Sequence, residues 1–113
     1  MTNNIYAYQR EARKTAIYPD QGELQGLLYA ALGLANEAGE VAGEVKKILR
    51  DDDGELTDER YAKLVSELGD VLWYAAQVAS EIGVPLNLVT ERNLAKLASR
   101  AERGVLGGSG GDR

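Results

Sequence analysis

The chain has 113 residues, 44% hydrophobic and 27% charged, which is enough for one small globular domain and is typical of neither a disordered nor a membrane-embedded chain. Thirteen Lys and Arg against 18 Asp and Glu give a net charge of −5, which disfavours binding of bare nucleic acid through its phosphates. The sequence contains no Cys and no His, so disulfides, thiolate nucleophiles, Ser-His-Asp triads and HExxH metal sites are excluded. Any chemistry must therefore use carboxylates, hydroxyls, Lys, Arg and a metal recruited by them.

The first ten residues are polar and mixed in charge, without the apolar segment of a secretory leader. No stretch approaches the roughly 20 apolar residues of a membrane-spanning helix. We therefore expect a cytoplasmic protein with no membrane partner.

The pattern of apolar residues predicts an all-α fold, since no segment alternates with the period of a strand. A first helix is predicted over about residues 3–15, followed by a break at Pro19. Asp20 and Glu23 have the spacing of a capping box, which predicts the start of a long second helix that ends near residue 50.

The acidic turn of residues 51–54 separates the second helix from a third, for which Thr57 is the predicted N-cap. Gly83 is expected to end the third helix, and Pro85 to open a fourth that runs to about residue 103. The apolar stripes of the two central helices are Leu34, Val41, Val45 and Ile48, and then Leu64, Leu68, Val71, Ala75, Val78 and Ile82.

These elements predict one four-helix, bundle-type domain over residues 1–103 and a glycine-rich, flexible tail over residues 104–113. So small a set of amphipathic helices leaves apolar surface uncovered. We therefore expect a homodimer or homotetramer that completes the core.

Two groups of carboxylates lie at helical spacing. Glu37, Glu40 and Glu44 share one face of the second helix, and Glu67 and Asp70 lie one turn apart on the third. Both groups border the predicted apolar stripes. No basic residue stands at i+4 from any member of the two acidic pairs, which are Glu37 and Glu40, and Glu67 and Asp70. The simpler alternative is a solvated acidic face, because Glu is a good helix former.

Each acidic pair also contains a glycine, Gly39 or Gly69, which we interpret as allowing two helices to approach closely. Converging carboxylates without His or Cys suit a hard cation, and Mg²⁺ or Mn²⁺ fits best. The sequence therefore indicates a metal site that handles phosphates.

Three parts of the chain carry a family resemblance. Residues 33–41 (GLANEAGEV) and residues 67–74 (ELGDVLWY) resemble the two motifs of the MazG-like all-α nucleoside triphosphate pyrophosphohydrolases. Residues 93–103 and the ending GSGGDR resemble that family's C-terminal region. The EXXE and EXXD pairs on separate helices make the resemblance specific.

The resemblance implies Mg²⁺-dependent hydrolysis of a nucleoside triphosphate to the monophosphate and pyrophosphate, a house-cleaning of the nucleotide pool. It implies that Glu37, Glu40, Glu67 and Asp70 are the catalytic metal ligands, with Mn²⁺ as a possible substitute for Mg²⁺. The family's fullest motif begins with two adjacent Glu, whereas Asn36 stands at the first of these positions here.

Substrate contacts are expected outside the carboxylates. Asn93, Lys96 and Arg100 lie on one face of the fourth helix and resemble phosphate-contacting residues, although a solvated basic face is the alternative. Trp73 is a candidate for stacking on the base, with a core position as the alternative. The tail is a candidate for closure over phosphates through Arg113.

A different class of function is a non-catalytic, helical, oligomeric interaction module that retains the fold. The complete set of carboxylates favours the enzyme, since a scaffold has no use for unpaired carboxylates at a core margin. Glu40 and Glu44 are both candidates to orient the attacking water.

Overall fold

The computed structural model describes residues 4–111 and 113, and every regular element in this part of the chain is an α-helix. Helix α1 spans Ile5–Lys14, α2 Leu24–Asp51, α3 Asp58–Glu81 and α4 Leu86–Arg103. The predicted all-α, four-helix architecture is thus confirmed. Asn3, the expected start of the first helix, lies outside the described residues. No helix of the described residues combines the length and hydropathy needed to cross a membrane.

Side chains cap the N-termini of two helices. Asn4 Oδ1 accepts a hydrogen bond from Ala7 N at 2.7 Å at the start of α1. Thr57 Oγ1 accepts one from Arg60 N at 3.2 Å at the start of α3, which confirms the predicted N-cap.

The predicted capping box before α2 is wrong. Helix α2 begins at Leu24 behind Glu23, and no side chain caps it. Asp20 adopts a left-handed backbone conformation with φ of 62°, and its main-chain carbonyl accepts the Glu23 N–H at 3.1 Å. The Glu23 N–H therefore donates to the main-chain carbonyl of Asp20 and not to its side chain, as a capping box would require.

Helices α2 and α3 form an antiparallel hairpin that is the frame of the fold. The turn between them is closed by Arg60, whose Nε donates to Asp52 at 2.8 Å and whose Nη1 donates to Glu44 at 3.1 Å. Because the helices run in opposite directions, residues such as Gly33 and Tyr74 near the middle of each lie side by side. This register also brings the two acidic motifs together.

Helix α1 crosses the C-terminal half of α3 and packs on α4. The buried core there consists of Ala76, Ala79 and Leu86, with Ile5 and Tyr8 packed against it. Ala12 is also buried, so Ile5, Tyr8 and Ala12 form the face of α1 that packs inward. The core is small, and several residues of the predicted stripes remain outside it; Val45, Leu68 and Ile82 are exposed.

Glycine permits close packing between helices at Gly33, and the interpretation of Gly39 and Gly69 is wrong in this structure. A Cβ on Gly33 would collide with the Tyr74 ring, so only glycine admits that ring. A Cβ on Gly39 or on Gly69 would meet no atom within 4 Å. The side chains of the carboxylate site therefore meet without these two glycines.

This difference gives a matched pair of substitutions in one helix. Gly39→Ala is expected to raise the free energy of unfolding by about 0.5–1 kcal/mol, because Ala is the better helix former and nothing obstructs its Cβ. Gly33→Ala gains the same propensity but overpacks the Tyr74 ring, which typically costs about 1–3 kcal/mol. For Gly33→Ala we therefore expect a net loss of free energy of unfolding, measured by urea unfolding at fixed protein concentration. Equal stability of the two variants would contradict this packing.

The buried carboxylate of Glu81 on α3 binds the segment that connects α1 and α2. The Glu81 side chain is 0% exposed and accepts a hydrogen bond from the Tyr18 hydroxyl at 2.6 Å. It pairs with Arg13 Nη2 at 3.0 Å and accepts a bond from Gly22 N at 2.9 Å. Burial by itself would raise the pKa of Glu81, but these three donors outweigh burial and lower it.

The described residues of the glycine-rich tail lie against the end of α4. Gly104 is the C-cap of α4 and has a φ of 70°. This left-handed conformation allows the Val105 N–H to donate to the Arg100 carbonyl at 2.9 Å. Beyond it the chain turns back, and Arg100 Nη2 donates to the Gly111 carbonyl at 2.9 Å. The described tail residues are therefore folded against the end of α4.

Candidate active site

Three carboxylates converge between the central helices. Glu37 extends from α2 and Glu67 and Asp70 from α3, and one oxygen of each lies within 4.8 Å of the others. Glu67 and Asp70 are one turn apart, and the antiparallel register sets Glu37 opposite them. Glu37 and Glu67 are half-buried and Asp70 is exposed, so the cluster lies at the edge of the interhelical packing. The sequence predicted this marginal position.

Like charges lie close together in this cluster. The pKa of Glu37 is raised by partial burial, by the charges of Asp70 and Glu67, by a hydrogen bond with Glu67 and by Glu40. None of these four carboxylates forms an ion pair with a basic side chain of the described residues. No ion pair in this part of the chain offsets their repulsion, and a divalent cation would do so.

The two remaining acidic candidates on α2 differ from Glu37. Glu40 is exposed and lies outside the group of three, although its charge contributes to the raised pKa of Glu37. Glu44 is buried and bound by Arg60 at 3.1 Å and Lys47 at 3.6 Å. Burial alone would raise the pKa of Glu44, but the hydrogen bond from Arg60 and the charges of Lys47 and Lys63 lower it. Glu44 is therefore tied into the turn between α2 and α3.

The raised pKa of Glu37 predicts that its charged form lowers the stability of the metal-free protein, so that this stability depends on pH. A group whose pKa is higher in the folded state favours folding while protonated, and this contribution is lost as pH rises through the folded pKa. In EDTA, Glu37→Gln should therefore melt higher than wild type at pH 7, and this difference should shrink as pH falls toward 4.5. Mg²⁺ should raise the melting temperature of wild type more than that of the variant. A difference that is the same at every pH would contradict the clustering of charges.

An aromatic cluster lies beside the carboxylates. The Tyr18 and Tyr29 rings stack with centroids 4.8 Å apart, and the Trp73 ring meets Tyr74 edge-on at 4.9 Å. Trp73, the candidate for base stacking, donates from Nε1 to Thr15 Oγ1 at 2.8 Å and is half-buried. Its position thus combines packing between α1 and α3 with partial access to solvent.

The charges of these carboxylates act on two tyrosine hydroxyls that the sequence analysis did not single out. The pKa of Tyr74 is raised by burial, by a hydrogen bond with Tyr29, and by the charges of Glu37 and Asp70. Burial and the charge of Asp70 likewise raise the pKa of Tyr8. A signal was present in the composition, since the chain has six Tyr and no Phe and so carries a hydroxyl on every aromatic side chain except Trp73.

The candidate phosphate contacts on α4 do not share one exposed face. Helix α4 packs on α1 and α3, and none of its Cα atoms lies within 8 Å of a Cα atom of α2, which carries Glu37. Asn93 and Lys96 are exposed on α4. Arg100 is buried and bonds the tail, so it does not share an exposed face with the other two.

The donor set fits a hard divalent cation. Carboxylate oxygens are the ligands that Mg²⁺ and Mn²⁺ prefer, and the described residues near the cluster offer no softer ligand. Mg²⁺ is usually bound by a few carboxylates, with waters and substrate phosphates completing the shell. The open side at Asp70 leaves room for such ligands.

Carboxylates converge from both helices of an all-α hairpin, which is the arrangement expected from the resemblance of the two acidic motifs to a nucleotide pyrophosphohydrolase family. In agreement, residues 25–105 match the MazG nucleotide pyrophosphohydrolase domain, and the chain belongs to that family. The chain is 54% identical over 113 residues to the Gene 37 protein of Mycobacterium phage L5, with 97% of this chain and 99% of that protein covered. No solved structure gives a significant match.

Proposed function

We propose that this protein hydrolyses a nucleoside triphosphate to the monophosphate and pyrophosphate at the cluster of Glu37, Glu67 and Asp70. The observation that carries the proposal is the convergence of three carboxylates within 4.8 Å, without a basic partner among the described residues. Membership of the nucleotide pyrophosphohydrolase family supports the reaction class.

The three clustered carboxylates would hold Mg²⁺, with Glu40 one helical turn from Glu37 as a fourth acidic group. When bound, the cation neutralises phosphate charge and makes the phosphorus more electrophilic. Arg60 and Lys47 hold Glu44 in the turn, so Glu40 is the better placed of the two to orient a water. The half-buried sides of Glu37 and Glu67 limit the access of other water to the reacting groups.

Recognition of the nucleoside is assigned to the aromatic cluster. Trp73 and Tyr29 offer ring surface in this cluster, and Tyr29 is 45% exposed. A ring that stacks on a base tolerates many bases, because every base has a π-face. Lys96 and Asn93 remain candidates for phosphate contacts from α4.

The reaction is tested with a panel of ribo- and deoxyribonucleoside triphosphates and Mg²⁺. We expect equal amounts of monophosphate and pyrophosphate, and no product in EDTA. Release of orthophosphate with a diphosphate would contradict cleavage at the α-phosphorus. Absence of turnover on every nucleotide would contradict the proposed function and favour a non-catalytic interaction module.

We further propose that the protein is a homo-oligomer, since apolar faces of both central helices lack a partner within the described residues. On α2, Leu24, Leu28 and Leu32 are exposed along one face, Leu32 to 72%. A second exposed stripe on α3 comprises Tyr61, Val65, Leu68 and Leu72. Contiguous apolar faces of this kind mark interaction surfaces.

The oligomeric state is measured by light scattering. Wild type is expected to be a dimer or tetramer at micromolar concentration, and Leu28→Glu with Leu32→Glu is expected to lower the mass by placing charge in an apolar contact. Ile17→Glu is the control, because Ile17 lies in the connection between α1 and α2 and is 94% exposed. A monomeric wild type would contradict the proposal.

A further inference from the structure

A cavity of about 360 Å³ lies between α1 and the turn that joins α3 to α4. Residues of both elements and of the end of α3 line it, among them Tyr6, Arg10, Arg13, Ser80, Val84 and Pro85. Its volume falls in the range of small-molecule sites, which is about 300–1,000 Å³. None of the three clustered carboxylates lines this cavity, so it is a separate feature of the described fold.

The buried amide of Gln9 occupies two hydrogen-bond acceptors on the walls of this cavity. Gln9 is 5% exposed, and its Nε2 donates to Ser80 Oγ at 3.2 Å and to the Val84 carbonyl at 3.0 Å. Its Oε1 accepts the Leu86 N–H at 2.7 Å, which fixes the orientation of the amide and joins α1 to the first turn of α4. These two acceptors are therefore satisfied from within the protein.

Hydrogen-bond donors on the same walls remain available. Arg10 forms no ion pair with a described residue, and its guanidinium lies 5.9 Å from the Tyr6 ring. Arg13 directs Nη1 and Nη2 into the buried network around Glu81, and its Nε donates to none of these partners. No acidic residue is among the described residues that line the cavity. An anion is therefore the ligand that these walls favour.

We propose that this cavity is a separate binding site for a small phosphate monoester, whose phosphate is held by Arg10, Arg13 and Ser80. Guanidinium groups form strong, charge-assisted hydrogen bonds with phosphate. Three donor groups suit the three terminal oxygens of a phosphate monoester better than the two oxygens of a carboxylate. The Tyr6 ring and Pro85 would contact the organic part of the ligand. The proposal does not rest on the proposed function, since none of these residues belongs to the candidate active site.

Binding is measured by calorimetry in EDTA at fixed ionic strength, with phenyl phosphate, glycerol phosphate and benzoate as probes. EDTA removes divalent cations, and without them the carboxylate cluster repels a phosphate anion. Both phosphate monoesters are expected to bind wild type, and tighter binding of phenyl phosphate would identify an aromatic body that contacts Tyr6. Benzoate should bind more weakly than phenyl phosphate, because it has fewer acceptor oxygens and less negative charge.

Arg10→Ala is expected to weaken binding of phenyl phosphate about tenfold or more, since a hydrogen bond to a charged group is lost. Lys14→Ala is the matched control, because it removes the same charge from the same helix. Lys14 pairs with Glu11 at 2.9 Å and does not line the cavity, so this variant should bind like wild type. In wild type, the ligand should shift the amide NMR signals of residues 9–13 and 83–86.

The site is overturned if neither monoester binds wild type, if Arg10→Ala binds as tightly as Lys14→Ala, or if the amide shifts lie elsewhere. Benzoate binding as tight as that of phenyl phosphate would overturn the choice of phosphate. Arg10→Ala should hydrolyse the nucleotide panel like wild type, and loss of turnover would overturn the separation of this cavity from the active site. Hydrolysis by wild type tests the proposed function independently of every binding result in EDTA.

Discussion

Replacement of Glu37 by Gln, or of Asp70 by Asn, is expected to lower turnover of nucleoside triphosphates by about 100-fold or more. Each change keeps the shape of the side chain and removes a charge from the group of three, and a lost electrostatic contribution of this kind typically costs about 10²–10³ in rate. Turnover is measured at saturating Mg²⁺, and circular dichroism should show unchanged helical content.

The control is Glu59→Gln, an exposed carboxylate on α3 that pairs only weakly with Lys63, at 3.7 Å. It should retain full activity, because it is remote from the cluster in sequence and lies in the first turn of the helix. Activity of Glu37→Gln and Asp70→Asn within about threefold of wild type would rule out the cluster as the catalytic centre, since loss of such a group costs far more.

Glu40→Gln separates two roles for the fourth carboxylate. It is expected to lose activity, and its melting temperature with and without Mg²⁺ identifies the cause. A retained shift with Mg²⁺ means that Glu40 orients the water, whereas a lost shift means that it holds the cation. Full activity would exclude Glu40 from the site.

Arg13→Ala is expected to lower the free energy of unfolding by about 3 kcal/mol. Arg13 pairs with the fully buried Glu81 and also donates to Tyr18 and Gln77, so its removal leaves a buried carboxylate without its countercharge. Loss of one partner of a buried pair typically costs about 3–5 kcal/mol, and partial exposure of Arg13 places the expected value at the lower end. Urea unfolding at fixed protein concentration measures the change.

Arg10→Ala serves as the control on the same helix. Arg10 is exposed and lies 5.9 Å from the Tyr6 ring, a contact whose loss should cost less than about 1 kcal/mol.

The ion pair between Arg13 and Glu81 also predicts a pH effect, because the pKa of Glu81 is lowered by its donors. That stabilisation is present above the ordinary Glu pKa and is lost as pH falls through the lowered value. Arg13→Ala should therefore lose part of this acid sensitivity, because the Tyr18 hydroxyl and the Gly22 N–H still donate to Glu81. Equal stability of Arg13→Ala and Arg10→Ala would contradict the network.

The amino-acid sequence by itself determined the helices and the identity of the acidic motifs. Apolar spacing and the Thr57 cap are local signals, and they located α3 correctly. The acidic spacing on two helices predicted a cluster at the core margin, and three of its four members meet there. Local periodicity suffices for such features because it fixes which side chains share a helix face.

The tertiary structure decided the features that depend on partners distant in sequence. The Tyr74 ring packs on Gly33, and Arg13 forms an ion pair with Glu81. Glu44 pairs with Arg60, and Arg100 donates a hydrogen bond to the tail. Helical periodicity does not encode the register between α2 and α3 or the crossing of α1. Whether a glycine is needed or a carboxylate is paired depends on that register, since the neighbour that fills the space or supplies the charge comes from another helix.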